Sequence, residues 1–227
     1  MKMQFAVAVA AALVAMPALA VEQLTGGDFE SPVIGSFSGD VSGTGYVYPA
    51  LGGSATVGGW TYTGGAGLIN GFTATPWFGG SPPQGFGGSQ YAFVQSVGTL
   101  SQSFTATQSG VLTLSWLEGA RPGLGCCNGN QTYDVLFGAN QAGQFSTVSG
   151  QNFTARSLVL GPVTAGQSYS ISFKGLITDD NTAFFDNISA NITGGTVPEP
   201  ASWMMLVTGF GLAGMLARRR RQRSVAA

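Results

Sequence analysis

"GVLTLSWLEG", Gly110 to Gly119, is the stretch that decides the fold. Leu112, Leu114 and Trp116 recur at every second position, with Thr113 and Ser115 between them. Successive side chains of an extended strand point to opposite faces, so this period lines one face with large apolar groups and the other with hydroxyls. The pattern continues outward on both sides. In "SQYAFVQSV" (89–97) Tyr91, Phe93 and Gln95 share a face and Ala92 and Val94 take the other. In "QTYDVLFG" (131–138) Tyr133, Val135 and Phe137 align, so Asp134 projects the opposite way. "NFTARSLVLG" (152–161), "QSYSISFKG" (167–175) and "NTAFFDNISANIT" (181–193) extend it. Gly, Pro and Asn break these runs at intervals of roughly eight to fifteen residues, the spacing of an all-β antiparallel sandwich. Such a sandwich buries its inner faces and leaves the outward residues wet.

Before residue 89 the pattern loosens into "GSFSGDVSGTGYVYPALGGSATVGG" (35–59), "WTYTGGAGLINGF" (60–72) and "TPWFGGSPPQGFGGS" (75–89). These read as long excursions between early strands, with Gly supplying tight turns and Pro82-Pro83 stiffening a tip. Loops held on a rigid sheet are frequent ligand sites, and they are equally frequent in β proteins without a ligand.

Composition narrows the function classes. The chain has 227 residues, 36 of them Gly, and no His. Without His there is no Ser-His-Asp triad and no histidine zinc site. "GLGCCNGN" (123–130) lacks the Lys-Ser/Thr ending of a phosphate loop, and a Cys nucleophile there lacks its imidazole. Within the body the basic residues Arg121, Arg156 and Lys174 stand against Glu22, Asp28, Glu30, Asp40, Glu118, Asp134, Asp179, Asp180 and Asp186. With no basic stripe to displace counterions, nucleic acid is not an expected partner. The adjacent Cys126 and Cys127 form a vicinal disulfide, bridge another molecule or stay free.

Both ends carry processing signals. "MKMQFAVAVAAALVAMPALA" has Lys2, an apolar stretch, and small residues at Ala18 and Ala20, which predicts a signal peptide over 1–20 cut after Ala20. The body then spans 21–196 as one β-sandwich domain. From 198 the chain reads "PEPASWMMLVTGFGLAGMLARRRRQR", with no charge over 201–217. As a helix that stretch rises about 26 Å, near the lower limit for crossing a bilayer, so a single C-terminal membrane helix is expected. The basic cluster over 218–223 is then cytoplasmic and the body lies outside, making the inner membrane at least a transient partner.

The order Pro198-Glu199-Pro200 with Trp203, apolar run, then Arg218, Arg219, Arg220 and Arg221 resembles the PEP-CTERM sorting signal, also described as an ice-binding protein C-terminal domain. The resemblance spans 197–223. It implies a Gram-negative host, an exosortase-type membrane transpeptidase as partner, and delivery of the body to the cell surface or the medium. The ice-binding label belongs to the tail and says nothing of the body.

The body resembles exported jelly-roll domains of the galactose-binding-like and carbohydrate-binding kind. "LTGGDFESP" (24–32), where Gly27-Asp28-Phe29-Glu30 stands for the usual Asn-Gly-x-Phe-Glu, and "NTAFFDNISA" (181–190) carry that likeness. It implies pairing of the first and last strands and a structural calcium beside them, with Glu30 and Asp186 as ligands and Asp28 as a further candidate. Carboxylate and carbonyl oxygens suit that ion; the alternative is that each carboxylate solubilises a strand edge.

Candidate sugar contacts are Trp60, Tyr62, Trp77, Phe78 and Phe86, because aromatic faces with a few polar groups make sugar sites. Glu118, Arg121, Asn128, Asn130 and Asp134 supply polar groups near two strand ends. The alternative for each ring is core packing or loop anchoring. Glu118 and Asp134 also raise a glycosidase pair, whose chemistry needs two carboxylates across a cleft. The function expected is a non-catalytic, exported polysaccharide-binding or adhesive surface module. The alternatives are a structural surface protein without a ligand and a weak glycoside hydrolase.

Overall fold

The structure, a computed structural model, describes residues 20–35, 45–50, 53–72, 75–79, 81–123, 127–194, 205–215 and 218. The chain divides into two units, Leu19–Gly194 and the terminal segments Met1–Ala18 with Gly195–Ala227.

The larger unit is a sandwich of two antiparallel sheets, as the alternation predicts. Numbered in chain order, one sheet runs β11 (Thr154–Val163), β8 (Gly110–Ala120), β13 (Thr182–Thr193), β6 (Gln90–Gln95), β5 (Ala66–Asn70) and β2 (Tyr46–Val47). A further strand, β1 (Ala20–Glu22), pairs with the end of β13, Ala20 opposite Thr193. The other sheet runs β10 (Asn140–Ser146), β9 (Thr132–Phe137), β12 (Ser168–Gly175), β7 (Thr99–Thr105), β4 (Trp60–Thr63) and β3 (Ser54–Val57).

Leu112, Leu114 and Trp116 of β8 enter the space between the sheets, where they meet Tyr133 and Val135 of β9 and Ile171 and Phe173 of β12. Burial of each such side chain contributes about 1.5–3 kcal/mol. First and last strands do pair, and Glu22 clasps the join: its carboxylate accepts the N–H of Ala190 at 2.9 Å and of Leu24 at 2.8 Å.

The segment read as long excursions contains four short strands, β2 to β5. Gly58 and Gly59, both at positive φ, make the two-residue turn joining β3 to β4, a conformation that residues with a Cβ rarely adopt.

The outward residues are not all wet. Tyr91 and Phe93 of β6, Ile69 of β5 and Phe184 of β13 face away from the other sheet, yet they are buried under Trp77, Phe78 and Phe153. Trp77 and Phe78 come from a single helical turn, α1 (Thr75–Phe78). Aromatic surface on the outer face of β6 is too large to leave in water, and the connecting segments cover it.

The expected membrane helix is not found. Among the described residues, no helix is long and apolar enough to cross a membrane. The helical residues described in the tail are 205–215 and Arg218. The described residues 205–215 account for a rise of about 16 Å, against a hydrocarbon core of about 30 Å. Gly209, Gly211 and Gly214 fall within it, and Gly weakens a helix interior by roughly 1 kcal/mol relative to Ala. The membrane tether drawn from that helix therefore has no structural basis among the described residues. Of the sorting residues only Arg218 is described; Pro198, Glu199, Pro200, Trp203, Arg219, Arg220 and Arg221 lie outside the described residues. Of the proposed signal peptide only Ala20 is described, opening β1, and Ala18 lies outside.

Candidate functional site

At one end of the seven-stranded sheet, strand ends and loops enclose an open groove of about 440 Å³. Tyr46 and the nearby Tyr48 bring aromatic walls from the edge strand β2, and Trp77 comes from α1. Gln95 ends β6, Arg121 follows β8, and Asp180 precedes β13. The rings form one stack with the outer aromatic layer: Tyr46 and Trp77 centroids lie 5.1 Å apart, Tyr48 and Phe93 5.0 Å, Trp77 and Phe93 4.8 Å.

A polar chain crosses this stack. The Tyr48 hydroxyl donates to Gln95 Oε1, and Gln95 Nε2 donates to Asp180 Oδ1. Arg121 Nη1 donates to the same oxygen at 3.2 Å, and its guanidinium lies 4.3 Å from the Trp77 ring centroid. Arg121 is only 7% exposed. A guanidinium is stable at that depth because a carboxylate and a π face together offset its lost hydration. Burial first, then the Asp180 charge, push the Tyr48 phenol well above its ordinary range, so its hydroxyl remains a donor.

The loops are held from beneath by Gln131, fully buried at the start of β9. Its Nε2 donates to the carbonyls of Ser96 (2.9 Å) and Asn181 (2.8 Å), and its Oε1 accepts the N–H of Ile177 at 3.0 Å. Asn128 braces the same loop, its N–H donating to the Asp180 carbonyl at 3.2 Å.

Of the sugar contacts expected from sequence, Trp77 and Arg121 line the groove and Asn128 supports it. Trp60 (0% exposed) and Tyr62 lie in the core between the sheets, where Trp60 Nε1 donates to the Gly26 carbonyl at 3.1 Å. They present no ring face to solvent. Phe86 packs at a tilt against Phe72, Tyr91 and Phe153, away from the groove lining, and Phe78 is buried against Phe184.

Glu118 keeps step with Trp116 and is 0% exposed inside the core. There it accepts from the Tyr133 hydroxyl and from Gln151 Nε2, and pairs with Arg156 at 2.9 Å. Asp134 leaves β9 on the opposite face from Tyr133 and Val135 and accepts from Gln144 Nε2 at 3.0 Å. The two carboxylates open onto no common cleft. Asn130 accepts the Ser149 N–H at 2.9 Å. Cys127 is disulfide-bonded and buried, and Cys126 lies outside the described residues.

Tyr46, Tyr48, Gln95 and Asp180 were not singled out by sequence. A signal existed: "YVY" (46–48) repeats aromatics at strand spacing, and "TDDN" (178–181) puts two carboxylates in a turn before a strand.

Glu30 and Asp186 both hold the segment over 87–90. Glu30 Oε1 accepts the N–H groups of Ser89 (2.8 Å) and Gln90 (2.9 Å), and Asp186 accepts those of Gly87 and Asn187, each at 2.7 Å. Burial first, then the charges of Glu30 and Asp28, raise the Asp186 carboxyl to about 7 against the opposing pull of those two N–H groups. Carboxylate oxygens are the ligand type a hard cation takes, and each of these four already accepts a hydrogen bond from a neighbouring donor. Among the described residues, no three His, Cys, Asp or Glu side chains are grouped to hold a metal.

Residues 196–221 match the PEP-CTERM protein-sorting motif, which implies processing by an exosortase-type system. No curated protein matches the chain. Among solved structures, a cyclase from Fischerella sp. TAU is similar over 78% of this chain and 100% of its own, at 16% identity and a TM-score of 0.50. A family 35 carbohydrate binding module from Clostridium thermocellum is similar over 60% and 92%, at 15% identity and a TM-score of 0.41. The CBM22-1 xylan-binding domain of Paenibacillus barcinonensis Xyn10C follows over 63% and 90%, at 14% identity and a TM-score of 0.42. At these identities the likeness concerns the fold alone.

Proposed function

We propose that this chain is an exported, non-catalytic surface module that holds polysaccharide in the groove between Tyr46, Tyr48 and Arg121. The observation that carries this reading is the groove itself: an aromatic wall, a preformed Tyr48–Gln95–Asp180–Arg121 hydrogen-bond chain, and an opening to solvent. Sugar rings bind where apolar C–H faces meet aromatic side chains and fixed polar groups orient the hydroxyls. The sorting motif supports a role at the outside of a Gram-negative cell, on its surface or in the surrounding matrix. A calcium ion held by Glu30 and Asp186, near Asp28, belongs to the same proposal and supplies fold stability rather than chemistry.

A glycan array tests the reading. Wild-type protein is expected to retain polysaccharide, and Tyr46→Ala and Tyr48→Ala, with melting temperatures near wild type, to lose it. Binding that survives both substitutions would move the site elsewhere. Turnover of any bound polysaccharide would instead favour the hydrolase alternative.

A further inference from the structure

The charges around the groove are unevenly spent, and this bears on which glycans fit. Three charged residues line it: Arg121, Asp179 and Asp180. The positive charge is committed, paired with Asp180 at 3.2 Å and stacked over Trp77. Asp180 uses Oδ1 for both Arg121 and Gln95, leaving Oδ2 with no hydrogen bond to a described residue. Asp179 is exposed and makes no ion pair among the described residues. Arg121 bonds through Nη1, so Nη2 still has hydrogens to give.

We infer that the groove selects uncharged glycans, holding two neighbouring hydroxyls of one sugar between Arg121 and Asp180 while the ring rests on Tyr46 and Tyr48. This rests on the polysaccharide-binding reading and narrows it. Each hydroxyl both donates and accepts, so one accepts from the guanidinium edge and its neighbour donates to the free carboxylate oxygen. Hydrogen bonds to ionised partners are the stronger kind, and a pair at fixed separation reads the stereochemistry of the two hydroxyls.

An acidic sugar meets the reverse arrangement. Its carboxylate brings no donor for Asp179 or Asp180 and faces two like charges against one. Pairing it with the free Nη2 of Arg121 sets it beside Asp180, which already shares that guanidinium, so two carboxylates crowd one cation with Asp179 close by. The surrounding body adds long-range repulsion, with nine acidic residues against three basic ones between positions 21 and 196.

Affinity gel electrophoresis of the full chain in gels containing a neutral β-glucan or galactan, or polygalacturonate, at low and physiological salt, tests the inference. The expected result is retardation by a neutral polymer, insensitive to salt, and none by polygalacturonate. Asp180→Asn should weaken neutral binding about tenfold or more, because a site built around a hydroxyl donor loses its acceptor charge. Asp179→Lys reverses an exposed charge of the groove lining, and it should admit polygalacturonate at low salt. Polygalacturonate bound more tightly than any neutral polymer, with Tyr46→Ala abolishing it, overturns the selectivity and leaves the polysaccharide reading intact. No retardation by any of these polymers overturns both.

Discussion

Asp186 is the residue whose protonation the whole fold feels. An unfolded aspartate ionises near pH 4, whereas here burial and the neighbouring Glu30 and Asp28 charges hold the carboxyl protonated until about 7. Between those values the folded state binds more protons than the unfolded one, so stability falls as pH rises through the window and levels off above it. In chelator-containing buffer, denaturant midpoints are expected to decline from about pH 4 to about pH 7 and then flatten; Asp186→Asn should remove most of that slope. An unchanged slope in the variant would assign it to other groups. Calcium at millimolar levels is expected to raise the wild-type melting temperature and to do so less in Asp186→Asn. Glu118 stands two positions beyond Trp116, so its inward aim was written in the same period that identified the strand. The burial of Trp60 and Tyr62 was not, because alternation over a strand of four residues looks identical whether the aromatic face meets solvent or the opposite sheet. Asp180 acquires its role only when Arg121, 59 positions away in sequence, is brought beside it.

At the scale of elements, strand existence followed from alternation, but the second aromatic layer did not. "YAFV" (91–94) and "AFF" (183–185) carry large apolar groups on both faces, a signal of strands buried on both sides. The covering pieces, the single turn α1 and Phe153 just ahead of β11, carry no local signal that marks them as lying over that face. Packing of the first turn against the last strand is tighter still. A Cβ on Gly27 would stand 1.8 Å from the Ile188 carbonyl oxygen, and the Ile188 N–H is itself bonded to the Gly27 carbonyl at 2.9 Å. Backbone on both sides leaves neither partner able to yield. Gly27→Ala is therefore expected to cost more than about 3 kcal/mol in urea unfolding. Gly138→Ala, at positive φ but with nothing within 4 Å of its Cβ, should cost only about 1 kcal/mol. Equal costs at the two positions would mean that the turn shifts away from β13 and that its close approach is not needed.

For the whole molecule, the decisive feature is that the last strand of the sandwich is also its centre. β13 lies between β8 and β6 and takes β1 on its far end, so without it the seven-stranded sheet separates into parts. Folding must therefore wait until residue 193 is available, while the sorting motif begins only at 196. The three-part order of the tail was legible, because Pro-Glu-Pro, an apolar run and an arginine cluster are local signals; hydropathy alone suggested a spanning helix, and no helix among the described residues is long and apolar enough to be one. Division of the chain at Gly194 makes a separable prediction. A chain ending at Gly194 should melt cooperatively within about 2 °C of the full chain, since the described core residues all lie between Leu24 and Ile192. A chain ending at Asn181 should show no cooperative transition. In cells, deleting 196–221 should leave the body folded while abolishing processing of its C-terminal end, read by mass spectrometry of the exported protein. Cooperative melting lost on removing 195–227 would show that the tail helps hold the sandwich together, and the sorting signal would then be a structural element as well.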